Sequence, residues 1–364
     1  MKNTFGTSVS VTVFGESHGE AIGAVIDGIA PGLTVDYGYI DLQLARRRPS
    51  SGVDTARQEK DEYKIVSGVF EGRTTGTPIA IIIPNTDTRS KDYSKIKDTP
   101  RPSHADYAAR MKYHGYEDYR GGGHFSGRIT AALVAAGAIC QMALDGIGVK
   151  IGTHILKCAG VCDRPFENYE DDIKALKSKA FPVLSHKEDE MSEAILKAKG
   201  ERDSVGGILQ TAITGVPAGV GEPWFDSVES MLSHALFGIG GIKGIEFGAG
   251  FSMADMRGSQ ANDKFLYENG RVVTETNNNG GINGGITNGM PIVFNCAVKP
   301  TPSISREQTT VDLAKAENTT LIIEGRHDPA IVRRACAVVD SVSAICICDM
   351  IAQRFGTDFF TRGK

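Results

Sequence analysis

A chain of 364 residues is long for one small core and short for three, so one large domain or two fused subdomains is the natural range. Hydrophobic residues at 41% and charged residues at 23% are enough for an ordinary globular core, and a net charge of −4 excludes a polyanion partner gripped by bulk charge. Seven cysteines with no CxxC pair and no Cys/His metal spacing exclude a disulfide framework and a thiolate metal site; they read as buried free thiols of a reducing, cytoplasmic setting.

Met1–Ser10 is polar and alternating, unlike a secretory signal. Val9, Val11 and Val13 then alternate with polar residues as in a half-buried strand, and Ala21–Ile29 can return as its partner. Asp36–Arg48 predicts a helix with Asp36 as its cap and Ile40 and Leu44 facing inward. Tyr63–Phe70 and Thr77–Pro84 are strand candidates, and Asn85–Pro102 is a polar loop. Ile129–Leu144 and Ala330–Ile351 are apolar nearly all round, which predicts helices buried on every side; the first is shorter than the ~18 residues a membrane span needs. Ala175–Gly200 is a solvent-facing helical pair or excursion, and Gly207–Val216, Gly244–Gly248 and Met290–Val298 are strands. Asn277–Gly285 is a glycine- and asparagine-rich loop. Strands interleaved with two all-apolar helices imply α+β, with helices shielded by sheets, in one domain over residues 1–364 or two intertwined subdomains.

Five clusters hold residues suited to chemistry. Gly15-Glu16-Ser17-His18-Gly19 puts a histidine at a strand end, where it can exchange a proton, although taken alone a satisfied loop histidine is the better reading. Arg46-Arg47-Arg48 ends the first helix; the helix dipole accounts for one or two of the arginines, and three adjacent ones point in different directions, so that one can face a phosphate. In Arg101-Pro102-Ser103-His104-Ala105-Asp106, Ser103 and Asp106 resemble a capping box that sets His104 in a first helical turn beside Arg101. Gly121-Gly122-Gly123-His124-Phe125-Ser126-Gly127-Arg128 leads into a buried helix and offers backbone donors to an anion, without the Gly-Lys-Ser/Thr of a Walker loop. Gly325-Arg326-His327-Asp328-Pro329 precedes the second buried helix, with Asp328 suited to the cap and Pro329 to the first turn. Lys299-Pro300-Thr301-Pro302-Ser303 alone is an ordinary proline turn with a cation and two hydroxyls. These residues describe an enzyme acting on phosphorylated, anionic small molecules with acid–base help.

The ordered set of Gly15–Gly19, Arg101–Asp106, the Ser126/Arg128 element and Gly325–Pro329, with Asn85-Thr86-Asp87, Gly221-Glu222-Pro223 and Arg257–Gln260, resembles the chorismate synthase family from about Asn3 to about Arg354. The resemblance implies a β-α-β sandwich with core helices between antiparallel sheets, a homotetramer and reduced FMN as cofactor. The implied reaction is a 1,4-anti elimination of phosphate from 5-enolpyruvylshikimate-3-phosphate. It implies that His104 protonates departing phosphate, that His18 keeps reduced flavin in its proper protonation state, and that Asp328 acts near the flavin. Ser17, Arg47, Arg101 and Arg128 are implied on the substrate side. Implied flavin contacts are His124, Phe125, Ser126, Gly240, Gly241, Gly284, Lys299, Pro300, Thr301, Pro302, Ser303 and Arg326. The chain departs from many members in having His124-Phe125 for Arg-Ser, Ser103 for Gly, and Gly52-Val53 where a further arginine is usual. No dinucleotide motif is visible, so an external flavin reductant is expected in place of a nicotinamide (NADP) site. The alternative is a flavin-dependent oxidoreductase acting on a phosphorylated small molecule. Neither a nucleic acid nor a membrane is an expected partner.

Overall fold

The computed structural model describes residues 2–49, 52–54, 61–86, 97–323 and 327–361. Two five-stranded antiparallel sheets enclose two helices. The first sheet runs, edge to edge, Thr4–Phe5, Ser10–Gly15, Ala21–Asp27, Ile79–Pro84 and Lys64–Ser67. Its register sets Ile22 opposite Ile83, Ala24 opposite Ile81 and Ile26 opposite Ile79, and all six are buried on one face. The second sheet runs Ile242–Phe247, Ile292–Val298, Gly207–Thr214, Lys150–Cys158 and Val161–Cys162.

Between the sheets lie the two helices expected from their apolar sequences, Thr130–Asp145 and Val332–Phe355. The first rests on the first sheet, the second on the second sheet, and each packs along the other. By length and composition both could cross a membrane, yet 78% and 100% of their apolar windows are buried inside the protein. The α+β sandwich predicted from the sequence is therefore the observed one. Helix Val332–Phe355 also buries polar residues with assigned partners. Asp340 pairs with Arg46 at 2.8 Å, and the Asp349 carboxylate accepts from the backbone N–H groups of Thr7, Ser8 and Val9.

The helices cross where Gly137 meets Ser341. A Cβ on Gly137 would lie 2.3 Å from Ser341 Cβ and 2.5 Å from Ser341 Cα, so only a bare backbone allows this approach.

Most element positions follow the sequence. Asp36 caps helix Tyr37–Arg47 by accepting from the Tyr39 N–H, and Ile40 and Leu44 are fully buried. The lysine- and glutamate-rich region holds helices Tyr169–Leu176 and Glu188–Gly200, the first beginning ahead of the expected range. Asn277–Gly285 is a loop apart from the two-residue strand Ile282–Asn283. Strand Lys150–Cys158, helix Val228–Leu236 and hairpins Phe265–Glu268/Arg271–Thr274 and Gln308–Asp312/Glu317–Leu321 were not foreseen.

Three expectations are corrected. Helix Asp106–Tyr113 opens at Ala105 with no side-chain cap, so Ser103 and Asp106 form no capping box and His104 precedes the helix. Helix Val332–Phe355 opens at Ile331, also uncapped, and the Asp328 carboxylate instead pairs with Arg334 at 2.9 Å. Of the seven free cysteines six are buried, but Cys162 is exposed, because it lies on a two-residue edge strand. Asp87, Gly325 and Arg326 fall outside the described residues.

Replacing Gly137 by Ala would add helix propensity worth about 1 kcal/mol on an exposed surface. Here the overlap with Ser341 reverses the sign, and Gly137→Ala should lose about 1–3 kcal/mol in urea unfolding. A stabilised variant would show that the helices do not cross this closely.

Candidate active site

At the end of the sandwich where both core helices begin, a cavity of ≈ 1010 Å³ opens. Its walls come from the end of the first helix, residues 103–105, 124–130, 237–243 and 299–303, and the approach to the second core helix at Asp328, Ile331 and Arg334.

One wall is a knot of arginines around a single carboxylate. The Asp61 side chain is 0% exposed; Arg47 reaches it at 3.1 Å, Arg48 at 3.8 Å, and Arg128 pairs closely with its other oxygen. Arg47 also donates to Thr130 Oγ1 at 2.8 Å and to the Gly127 carbonyl at 3.0 Å. Arg128 donates to Asn85 Oδ1 at 3.2 Å and to the Pro84 carbonyl at 3.3 Å. The run of three therefore splits, Arg46 going to Asp340 in the core and Arg47 and Arg48 to the cavity wall. Three guanidinium groups thus gather on one buried carboxylate at the cavity wall.

The glycine loop, read from the sequence as an anion cradle, also makes room for two histidines. Gly121 and Gly122 take φ of 59° and 84°, and a Cβ on Gly121 would strike the His18 ring at 2.3 Å. A Cβ on Gly122 would lie 3.2 Å from the His104 ring. Two successive glycines thus touch two histidines that are 86 positions apart in sequence, and bare backbone is what lets both rings in. Ser17 holds the other side: its N–H donates to the Gly123 carbonyl at 3.1 Å, its hydroxyl to the Arg120 carbonyl at 3.1 Å, and the hydroxyl lies 3.1 Å from His18 Nδ1. His124 Nδ1 donates to the Gly15 carbonyl at 2.8 Å, which fixes the histidine loop to the glycine loop. The Ser126 hydroxyl accepts from the Arg128 N–H and caps the short turn that leads into the core helix.

His104 lines the cavity, with Asp106 Oδ1 2.5 Å from its Nδ1. Arg101 grips the same carboxylate with Nε and Nη2, both at 2.8 Å. Burial by itself would raise the Asp106 carboxyl, but hydrogen bonds from Arg101 and His104 outweigh it and hold this group well below the usual carboxylate range. Lys299 donates from Nζ to the Ser103 carbonyl at 2.5 Å, and Arg101 Nη1 donates to Ser303 Oγ at 3.3 Å, so residues 299–303 are latched to the His104 loop. Burial, then the neighbouring Lys243, lowers the Lys299 ammonium from its ordinary value.

The structure gathers His104, Asp328, Arg47, Arg128, His124, Phe125, Ser126, Gly240, Gly241 and Lys299 through Ser303 on the cavity wall. Ser17, His18 and Arg101 are buried against wall residues without lining the cavity themselves. Gly284 is not brought there: it occupies the tight turn joining Ile282–Asn283 to Ile286–Thr287. Asp61 and Asp106 escaped the sequence reading. Asp106 was legible as an acid beside His104, but Asp61 carries no local motif. Among the described residues no cluster of three His, Cys, Asp or Glu could hold a metal ion.

Comparison with known proteins covers the same ground. The family model described as chorismate synthase matches residues 9–352. A chorismate synthase of Thermococcus kodakarensis is 45% identical over 351 residues, 96% of this chain and 97% of that one. One of Methanocella arvoryzae is 46% identical over 350 residues, covering 96% and 94%. A crystal structure of chorismate synthase superposes with a TM-score of 0.76 at 29% identity, covering 96% of this chain and 94% of that one. Since the match runs unbroken through the cavity wall from Arg47 to Arg334, the chain belongs to the chorismate synthase family.

Proposed function

We propose that the cavity holds reduced FMN and 5-enolpyruvylshikimate-3-phosphate together, and that His104, His18 and Asp328 act on them. As a family member the chain is a lyase of the shikimate pathway: phosphate leaves C3, hydrogen leaves C6, and chorismate results. What supports this division of labour is that a histidine with a fixed ring, His104, and a cluster of arginines share one cavity.

The residues present suit a flavin phosphate with a planar ring. Thr301 Oγ1 and Arg334 Nε are buried without a hydrogen-bond partner among the described residues, and both residues line the cavity beside apolar Ile129, Leu133 and Ile331. Orphaned donors next to an apolar wall are what a ring with a polar tail would satisfy. Bound there, reduced FMN supplies the electron-rich partner that lets phosphate depart although the C6 hydrogen is poorly acidic. His124, Phe125, Ser126, Gly240, Gly241, residues 299–303 and Arg326 are the proposed contacts. Gly284 could contribute only from another copy of the chain, and exposed Trp224, Phe225 and Phe251, at 83%, 91% and 83%, favour assembly into the homotetramer the resemblance implies.

Arg47, Arg48, Arg101 and Arg128 supply charge for the substrate's phosphate and carboxylates. His104 hands a proton to the departing phosphate. His18, pinned against Gly121 and Ser17, exchanges protons on the flavin side, and Asp328, oriented by Arg334, assists hydrogen removal from C6. An external reductant in the cytoplasm recharges the flavin.

The decisive assay is anaerobic phosphate release from the enolpyruvyl substrate with and without reduced FMN. Release should require reduced FMN without consuming it; stoichiometric NADPH oxidation with no phosphate released would favour an oxidoreductase. His104→Ala should cut kcat by about 10²–10⁴-fold with FMN affinity changed by less than about threefold. Unchanged turnover would remove the acid role. Asp61→Asn leaves Arg47, Arg48 and Arg128 without their shared counter-charge and should cost about 3–5 kcal/mol of stability in urea unfolding. Added phosphate should restore part of that loss, and a variant as stable as the parent would show that the arginines do not depend on Asp61.

A further inference from the structure

Arg101, His104 and Asp106 form a closed set in which one member alone lines the cavity. Asp106 accepts three times from Arg101: from Nε at 2.8 Å, from Nη2 at 2.8 Å and from the backbone N–H at 3.0 Å. Its Oδ1 also lies 2.5 Å from His104 Nδ1. A nitrogen lone pair and a carboxylate oxygen repel at that distance, so a proton must sit between them, on Nδ1. The ring's remaining nitrogen, Nε2, is then the atom free to exchange a proton. It stands beside Gly122, 3.4 Å from where a Cβ would be. Asp106 has no competing duty at the helix it opens, because that helix has no side-chain cap.

We infer that Asp106 is a positioning residue for the elimination: it locks His104 with Nδ1 protonated and Nε2 turned to the substrate, and its charge favours the imidazolium that gives up the Nε2 proton. The inference rests on His104 being the acid. In the step, the Nε2–H bond breaks and its proton passes to an oxygen of the departing phosphate. The electron pair of the C3–O bond leaves with that phosphate. The ring is left neutral with its Nδ1–H still donated to the Asp106 carboxylate, and a proton from solvent restores Nε2. Arg101, whose Nη2 is 3.0 Å from Nδ1, and Lys299 on the Ser103 carbonyl with Lys243 next to it bring positive charge to this side, and the Asp328 carboxylate lines the same cavity. The facing glycines at 121–123 bring no charge. Asp106 is the carboxylate in direct contact with the ring, set between it and these cations.

Anaerobic phosphate release is measured across pH for the parent, Asp106→Asn, Asp106→Glu, His104→Ala and the double variant His104→Ala/Asp106→Asn. Asp106→Asn should lower kcat about 10–10³-fold with KM changed by less than about threefold, and should move the alkaline limb of the kcat profile to lower pH. Asp106→Glu should recover part of the rate. The double variant should be no slower than His104→Ala alone, because a residue that acts through His104 has nothing left to position. A double variant slower than His104→Ala, or a loss in Asp106→Asn with an unmoved pH limb, would assign Asp106 a merely structural role and overturn the inference. If His104→Ala is slow but Asp106→Asn turns over like the parent, the inference alone fails; if His104→Ala is fast, the acid assignment falls with it. A measurement on the parent enzyme guards against a misfolded variant: proton NMR should show a strongly downfield exchangeable ring proton that is missing in His104→Ala. Its absence from the parent would also overturn the inference.

Discussion

Everything about the cavity depends on three guanidinium groups sharing the Asp61 carboxylate. Like charges brought together away from water repel strongly, and the buried Asp61 carboxylate between them offsets part of that repulsion. The arrangement also ties binding to folding. Arg47 and Arg48 come from the end of one helix, Arg128 from the turn before the first core helix, and Asp61 from the segment before strand Lys64–Ser67. Arg333 carries the linkage to the second core helix, donating to Asp54 and to the Arg48 carbonyl at 2.7 Å. The site exists only when sheet and both helices have docked.

The sandwich gives that charge cluster a stiff base. Two helices buried among sheets cannot shift without opening the core, and the contact of Gly137 with Ser341 leaves no slack between them. Their first turns both face the cavity, so Arg128 and Arg334 project from the best-anchored parts of the chain. Preorganised charge needs such support, because reorienting arginines during the reaction would forfeit what their placement contributes.

Local rules read this chain well where an element's surroundings are uniform. A helix with no polar face had to be buried all round, which implied helices shielded by sheets, and Asp36 caps its helix as the pattern says. They fail where a partner arrives from elsewhere. Ser103/Asp106 and Asp328 look like helix caps, yet Arg101 with His104, and Arg334, claim the carboxylates, since a charged hydrogen bond is stronger than a backbone cap. Strand Lys150–Cys158 was missed for a related reason. Thr153 and His154 break its apolar pattern but are fully buried, Thr153 against Thr211 at 2.8 Å and His154 between Asp163 and Gln210. Asp61 sits in no pattern at all; its meaning comes from arginines 14 and 67 positions away.

The glycine loop shows how composition can mark a location while leaving part of its reason unread. Three glycines before a helix suggested amides bound to phosphate; the folded chain adds a Ser126 hydroxyl that accepts from the Arg128 N–H and two histidine rings packed on the glycines. The glycines are there because two imidazole rings and the Asp118 carbonyl occupy the space their side chains would fill. Even one methyl group at Gly121 would displace His18. The spacing of the two imidazole rings is thereby set by backbone alone, the least adjustable part of the chain.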